Sequence, residues 1–362
     1  MLLIAIAAWS VVGTVVIPRG VRSRLVVGVD KVIGAGFAGI YGRLGRFEAR
    51  DRVAAVHAPL VLVAQVVVWL AMYEVGFALL LWSLGHLSFG EALVEAGSSV
   101  GQLGNVAPRG GVAAALDDLC SLFALVTIAL QIAYLPTLYA AFNRRETDVT
   151  LLDARAGLPS WGPELLARTH YGLGSHVSAL DSLPDLFRGW ERWAADVAES
   201  HTTYLPLVRF RSPRALSSWV TALLAVLDAA ALYLTLGSDP AEPVAARLCL
   251  RAGFSCFTVV ARALGQDVEE DPDPAEGIQL SYQEFLEALE RLRRVEFPIT
   301  REPRDSWTDF VGWRVNYERA AYRIAYLVDA PPALWSGPRR HPSPPLTPLR
   351  PVVRGLPPRR ST

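Results

Sequence analysis

The chain has 362 residues and a formal net charge of zero, so no global field draws it to nucleic acid or acidic partners. Hydrophobic residues make up 52% and crowd toward the N-terminal end, which predicts a membrane part followed by a further domain. The three cysteines, Cys120, Cys249 and Cys256, are an odd and widely spaced set. That argues against a disulfide framework or a zinc site, and Cys249 and Cys256 read as small buried apolar residues.

Met1 to Ile17 is almost uniformly apolar, without a positive leading region or a small-residue cleavage site, and predicts a short transmembrane helix. Residues 25–41 are apolar but broken by Asp30, Lys31 (the only lysine) and four glycines, which predicts an interfacial helix. Leu60 to Leu84 and Leu116 to Ala140 are each long enough to span a bilayer, and the second ends at the polar stop Phe142-Asn-Arg-Arg-Glu146. Trp82 closes the first of these two spans at interfacial depth.

Residues 18–58 carry Arg19, Arg22, Arg24, Lys31, Arg43, Arg46, Arg50 and Arg52, whereas 85–115 carry only Arg109. Arg144, Arg145 and Arg155 follow the last of the three spans. The positive-inside rule then puts 18–58 and the C-terminal region in the cytoplasm of a multi-pass cell-membrane protein. The N-terminus and 85–115 face outside.

Between the two long spans lies Ser88 to Asn105. Phe89 to Val100 reads as a helix too short to cross a membrane, with Glu91 and Glu95 on one face supporting it. Its negative dipole end would point at a Gly-rich loop and favour a cation there. Non-helical backbone at membrane depth survives only where protein buries it or it lines a watery cavity. An equally ordinary reading makes Ser98, Ser99, Gly101 and Gly104 an extracellular turn.

The segment Ser99-Val100-Gly101-Gln102-Leu103-Gly104-Asn105 resembles the selectivity filter of the two-transmembrane potassium channel family, whose pattern is Thr-Val-Gly-Tyr-Gly-Asp. The filter is degenerate: Leu103 is inserted, the aromatic is absent and Asn105 replaces the closing Asp. A gapless register aligns Gln102 to Val106 instead and loses the second glycine. The resemblance covers Leu60 to Tyr139. The segments Tyr134 to Phe142 and Phe310 to Tyr317 look similar to channel-like actinobacterial membrane proteins. It implies an all-α membrane protein with a re-entrant pore-loop-like segment and a helical cytosolic domain. It further implies a homo-oligomer, fourfold, that passes monovalent cations, potassium first, among membrane lipids.

Glu74 lies within a span and is either a functional group or solvated near the outer end. Asp117 and Asp118 open the next span, where an acidic first turn is normal capping; beside a pore they would also gather cations. Pro136 removes a backbone hydrogen bond from its helix and predicts a kink, which could serve as a gate.

Residues 143–184 read as a linker and 185–330 as a helical domain, after 1–59 and the pore unit 60–142. Trp190, Trp193 and Val197 share a helix face. Leu216 to Leu236 is long enough to span, but Asp228 in its midst favours the central helix of a soluble bundle. Ala245 to Leu264 would pack beside it, offering Arg251 as a partner for Asp228. Gln266 to Glu276 reads as an acidic solvated linker rather than a calcium loop. Tyr282 to Val295 and Asp305 to Val328 are further helices. Residues 331–362 read as a disordered Pro/Arg-rich tail able to touch anionic lipid.

Glu199-Ser200-His201, with Asp196 a turn earlier, is the one arrangement that invites catalysis. Sequence neighbours do not make a triad, and no nucleotide-binding or metalloprotease motif is present. The expectation is no enzyme, no cofactor and no metal. The chain is expected to conduct cations under control of its cytosolic helices, or else to be a non-conducting anchor for a cytosolic interaction domain.

Overall fold

Helices account for the regular structure. The computed structural model describes residues 1–17, 23–170, 179–237, 243–269, 271–273 and 277–350. Among them no strand forms, only one isolated bridge between Ala333 and Leu346. Arg19 and Arg22 of the charge pattern lie outside the described residues, as do residues 171–178 of the expected linker, part of the acidic linker and residues 351–362 of the tail.

The chain divides into two units, Met1–Asn143 with Ser200–Phe210, and Arg144–Glu199 with Arg211–Thr362. The first contains α1 (Leu2–Val11, continued by a π-helical turn Val12–Val16), α2 (Arg24–Tyr41), α3 (Phe47–Ser83), α4 (Phe89–Val100) and most of α5 (Gly111–Ala156). α3 and α5 are long and apolar enough to cross a membrane, and only 39% and 28% of their most apolar stretches are buried. Val56, Leu60, Val63 and Val67 form an outward stripe on α3, at a spacing that repeats every helical turn. Such a surface suits lipid, not water.

Small residues bring the helices together. A Cβ on Gly76 of α3 would lie 2.7 Å from Ile4 of α1, so α1 rests directly on the α3 backbone. The Trp69 indole N–H donates to Ser10 Oγ at 3.0 Å, satisfying the one polar atom of a fully buried ring.

Both long helices exceed the apolar runs that predicted them. α3 begins at Phe47 rather than Leu60, and α5 continues through Asn143-Arg-Arg-Glu to Ala156, where a linker was expected. Hydropathy marks where apolar side chains stop. Arg and Glu are good helix formers, so the helix itself goes on. Pro136 sits on the exposed side of α5, which runs through it as one helix.

The second unit holds α6 (Gly162–His170), α7 (Leu183–Thr203, whose last residues belong to the first unit), α8 (Trp219–Leu236), α9 (Pro243–Ala263), α10 (Tyr282–Arg293) and α11 (Pro303–Leu327). α8 is also apolar enough to span, yet 94% of it is buried by protein. Its neighbours approach closely. A Cβ on Gly162 would meet Ala225 O at 2.8 Å, and one on Gly253 would meet the Leu227 side chain.

The charge inside α8 is satisfied by a partner other than the one expected. Arg314 of α11, fully buried, donates to Asp228, to Glu318 at 2.9 Å, to the Tyr322 hydroxyl at 2.9 Å and to Trp335 O at 2.6 Å. Tyr317 also donates to Asp228, at 2.9 Å. Arg251 is exposed. The planar guanidinium presents several donors at once, which a buried carboxylate needs.

Most of residues 331–339 are buried, within the segment expected to be a disordered tail. Arg339, 6% exposed, donates to the carbonyls of Ala330, Pro331 and Ser336. Arg168 donates to Leu349 O at 2.8 Å, and Arg350 reaches Glu164 at 3.2 Å.

Candidate functional site around α4 and the Gly-rich loop

α4 starts on a capping box. Ser88 Oγ accepts from the Glu91 N–H, and Glu91 Oε2 accepts from the Ser88 N–H at 2.8 Å. These hydrogen bonds hold the exposed Glu91 carboxyl below the usual glutamate range. Glu91 also faces Arg109 at 3.5 Å. Glu95, one turn on, is 2% exposed. The two glutamates expected to act alike therefore act differently, one as a cap and one as a buried acid.

The helix then runs back along α3. Phe89 meets Trp82 with ring centroids 6.0 Å apart, and Gly97 lies against Glu74. Glu74 precedes the end of α3 at Ser83 by nine residues, about 14 Å at helical rise. On the other side, Cys120 and Ser121 of α5 reach Ala96 O at 3.9 Å and Ser99 O at 2.9 Å. The chain after α4 comes back to the level of the α3 end, where Arg109 donates to His86 O at 3.3 Å. The layout is helix, half-length helix, return, helix.

The loop does not open as an extended strand. Ser99 and Val100 still belong to α4, and Gly101 is its C-cap. The Leu103 N–H bonds Ser98 O at 2.9 Å and the Gln102 N–H bonds Ser99 O at 3.2 Å, the paired bonds of a Schellman cap. Gln102 takes the left-handed position with φ 52°, a place usually given to glycine. Asn105 N–H donates to Ser98 Oγ at 3.2 Å. Gly101, Gln102, Leu103, Gly104 and Asn105 are all exposed in the single chain.

Two groupings were not legible in the sequence. Asp117, read as a helix cap, lies one turn before Ser121 of α5, and its Oδ1, like Glu95 Oε1 of α4, is buried without a hydrogen-bond partner. Asp30 of α2 pairs with His57 of α3 at 3.5 Å and accepts from Arg209 at 3.2 Å, while His57 stacks on Phe37. Ser200 Oγ lies 3.0 Å from His201 Nδ1, and Asp196 is held by Arg144 at 3.0 Å. Among the described residues no group of three His, Cys, Asp or Glu side chains could hold a metal ion.

Comparison of the chain with protein-family models, curated proteins and solved structures gave no match.

Proposed function

We propose that the chain is a channel-like membrane protein that conducts monovalent cations, potassium among them, through a pore built from several copies. α4 and residues 101–110 would be the re-entrant segment, entering from outside, and the helical second unit would regulate it from the cytoplasm. The observation that carries this reading is the course of α4 back along α3 to Glu74 and the return of the chain to His86. An ordinary turn between two spans has no need to send twelve helical residues inward first. The exposed run Gly101 to Asn105 is a surface that other copies would close around a conduction path.

One observation favours a second reading, a non-conducting anchor for the helical unit. The Schellman cap engages the carbonyls of Ser98 and Ser99, and Ser99 O also accepts from Ser121, whereas a filter of the potassium type turns such carbonyls toward the ion. Potassium flux from proteoliposomes tests the pair. Wild-type flux that disappears in a folded Gly101→Ala, Gly104→Ala variant supports conduction through this loop. No flux at any voltage or pH from a correctly assembled protein favours the anchor.

A further inference from the structure

We propose that the exposed face of α9 is a docking surface for the headgroups of anionic phospholipids. α9 has two faces. Cys249, Leu250, Gly253, Cys256 and Phe257 are buried on one, where Gly253 packs directly on the Leu227 side chain of α8. The other is open. Val244, Arg247, Leu248, Arg251, Ser255 and Val259 are all exposed and recur three or four residues apart, so they form one stripe along the helix. Val244 is 62% exposed and Leu248 47%, so these large apolar side chains have no cover within the chain.

Charge complementarity selects the occupant. α9 carries three arginines and no aspartate or glutamate, in a chain whose formal net charge is zero. Arg262, at the far end of the helix, donates to Val268 O at 3.2 Å. Among the described residues Arg247 and Arg251 make no hydrogen bond or ion pair. They stand one turn apart, about 6 Å along the axis, with Leu248 between them in sequence. Such a face offers guanidinium groups to phosphate oxygens and apolar side chains to the acyl region beneath. The arginine stems can lie along apolar surface while their heads stay in the polar layer.

Other occupants fit less well. α9 is long and apolar enough to cross a membrane, but Arg251 would then meet hydrocarbon in mid-helix, which a helix lying in the headgroup layer avoids. A second copy that paired α9 with itself would set Arg247 and Arg251 against the same charges. Nucleic acid would leave Val244, Leu248 and Val259 without apolar contact. The proposal concerns α9 alone and holds whether or not the Gly-rich loop conducts.

The test uses the full-length protein with Ser255→Cys carrying an environment-sensitive fluorophore, in vesicles of phosphatidylcholine with or without phosphatidylglycerol. Ser255 is exposed on the same face, whereas Cys120, Cys249 and Cys256 are buried. Phosphatidylglycerol should shift the emission to the blue and bring the dye within reach of a headgroup spin-labelled lipid that quenches it. Added salt should reverse both effects. Arg247→Gln with Arg251→Gln should abolish the shift and leave the melting temperature unchanged. If that variant does not fold, the salt titration of the labelled protein decides alone. Emission unaffected by phosphatidylglycerol, or equal lipid contact in phosphatidylcholine alone, overturns the proposal. So does a blue shift that the spin-labelled lipid cannot quench, because another protein surface would then cover α9.

Discussion

Glu74 Oε1 on α3 lies 3.0 Å from the point where Gly97 of α4 would carry a Cβ. The half-length helix is seated against α3 at this contact, and it has little spare room. Gly97→Ala should cost little, because the end of the Glu74 side chain can swing aside. Gly97→Leu should lower stability by about 1–3 kcal/mol through overpacking. Thermal melts of the purified protein check this, and Glu74→Ala should recover part of the Gly97→Leu loss. Equal melting of wild type and Gly97→Leu would mean that α4 does not dock here.

Gln102 occupies a left-handed position at the end of α4. Gln102→Gly should relieve about 1 kcal/mol of backbone strain and raise the melting temperature. A lower melting temperature in that variant would show that the cap geometry is different.

The Arg314–Asp228 contact should be the most sensitive point of the second unit. Arg314→Met leaves Asp228 buried without its cation and should destabilise by about 3–5 kcal/mol. Arg314→Met with Asp228→Leu should recover much of the loss. A double-mutant cycle by denaturant unfolding measures the coupling, and strict additivity would count against the pair.

Glu164 makes the acid limb of stability predictable. Burial works to raise its pKa, but hydrogen bonds from Arg291, Arg168 and Arg350 outweigh it and hold the carboxyl below its ordinary value of 4.5. A depressed carboxylate contributes stability that is full above its unfolded pKa and is lost as pH falls through the folded one. Melting temperature should therefore drop steeply below about pH 4.3 in the wild type. Glu164→Gln should flatten that drop and cost about 1–3 kcal/mol at neutral pH.

The helices were legible because each rests on local pattern. Leu60 to Leu84 and Leu116 to Ala140 announced themselves by apolar length, and Ser88 with Glu91 marked the start of α4 three residues apart. The partners were not legible. Asp117 looks like a cap until α4 folds against α5 and buries its Oδ1 together with Glu95 Oε1. Asp228 had a plausible partner in Arg251 on the next helix, but the arginine that reaches it is 86 residues on. Composition did not show that residues 331–339 would be buried. Proline and arginine suggest disorder, yet proline removes N–H donors and a single buried arginine can satisfy the carbonyls that remain, as Arg339 does.

The most direct measurement is cation flux through proteoliposomes carrying Leu103→Cys, before and after a positively charged thiol reagent. Leu103 is 69% exposed in the loop, whereas Cys120, Cys249 and Cys256 are buried, so the reagent should modify the introduced thiol. A conducting pore lined by this loop predicts flux that stops on modification in the variant and is unaffected in the wild type. Absence of flux in both proteins, or flux in the labelled variant equal to that before labelling, would contradict conduction through this segment.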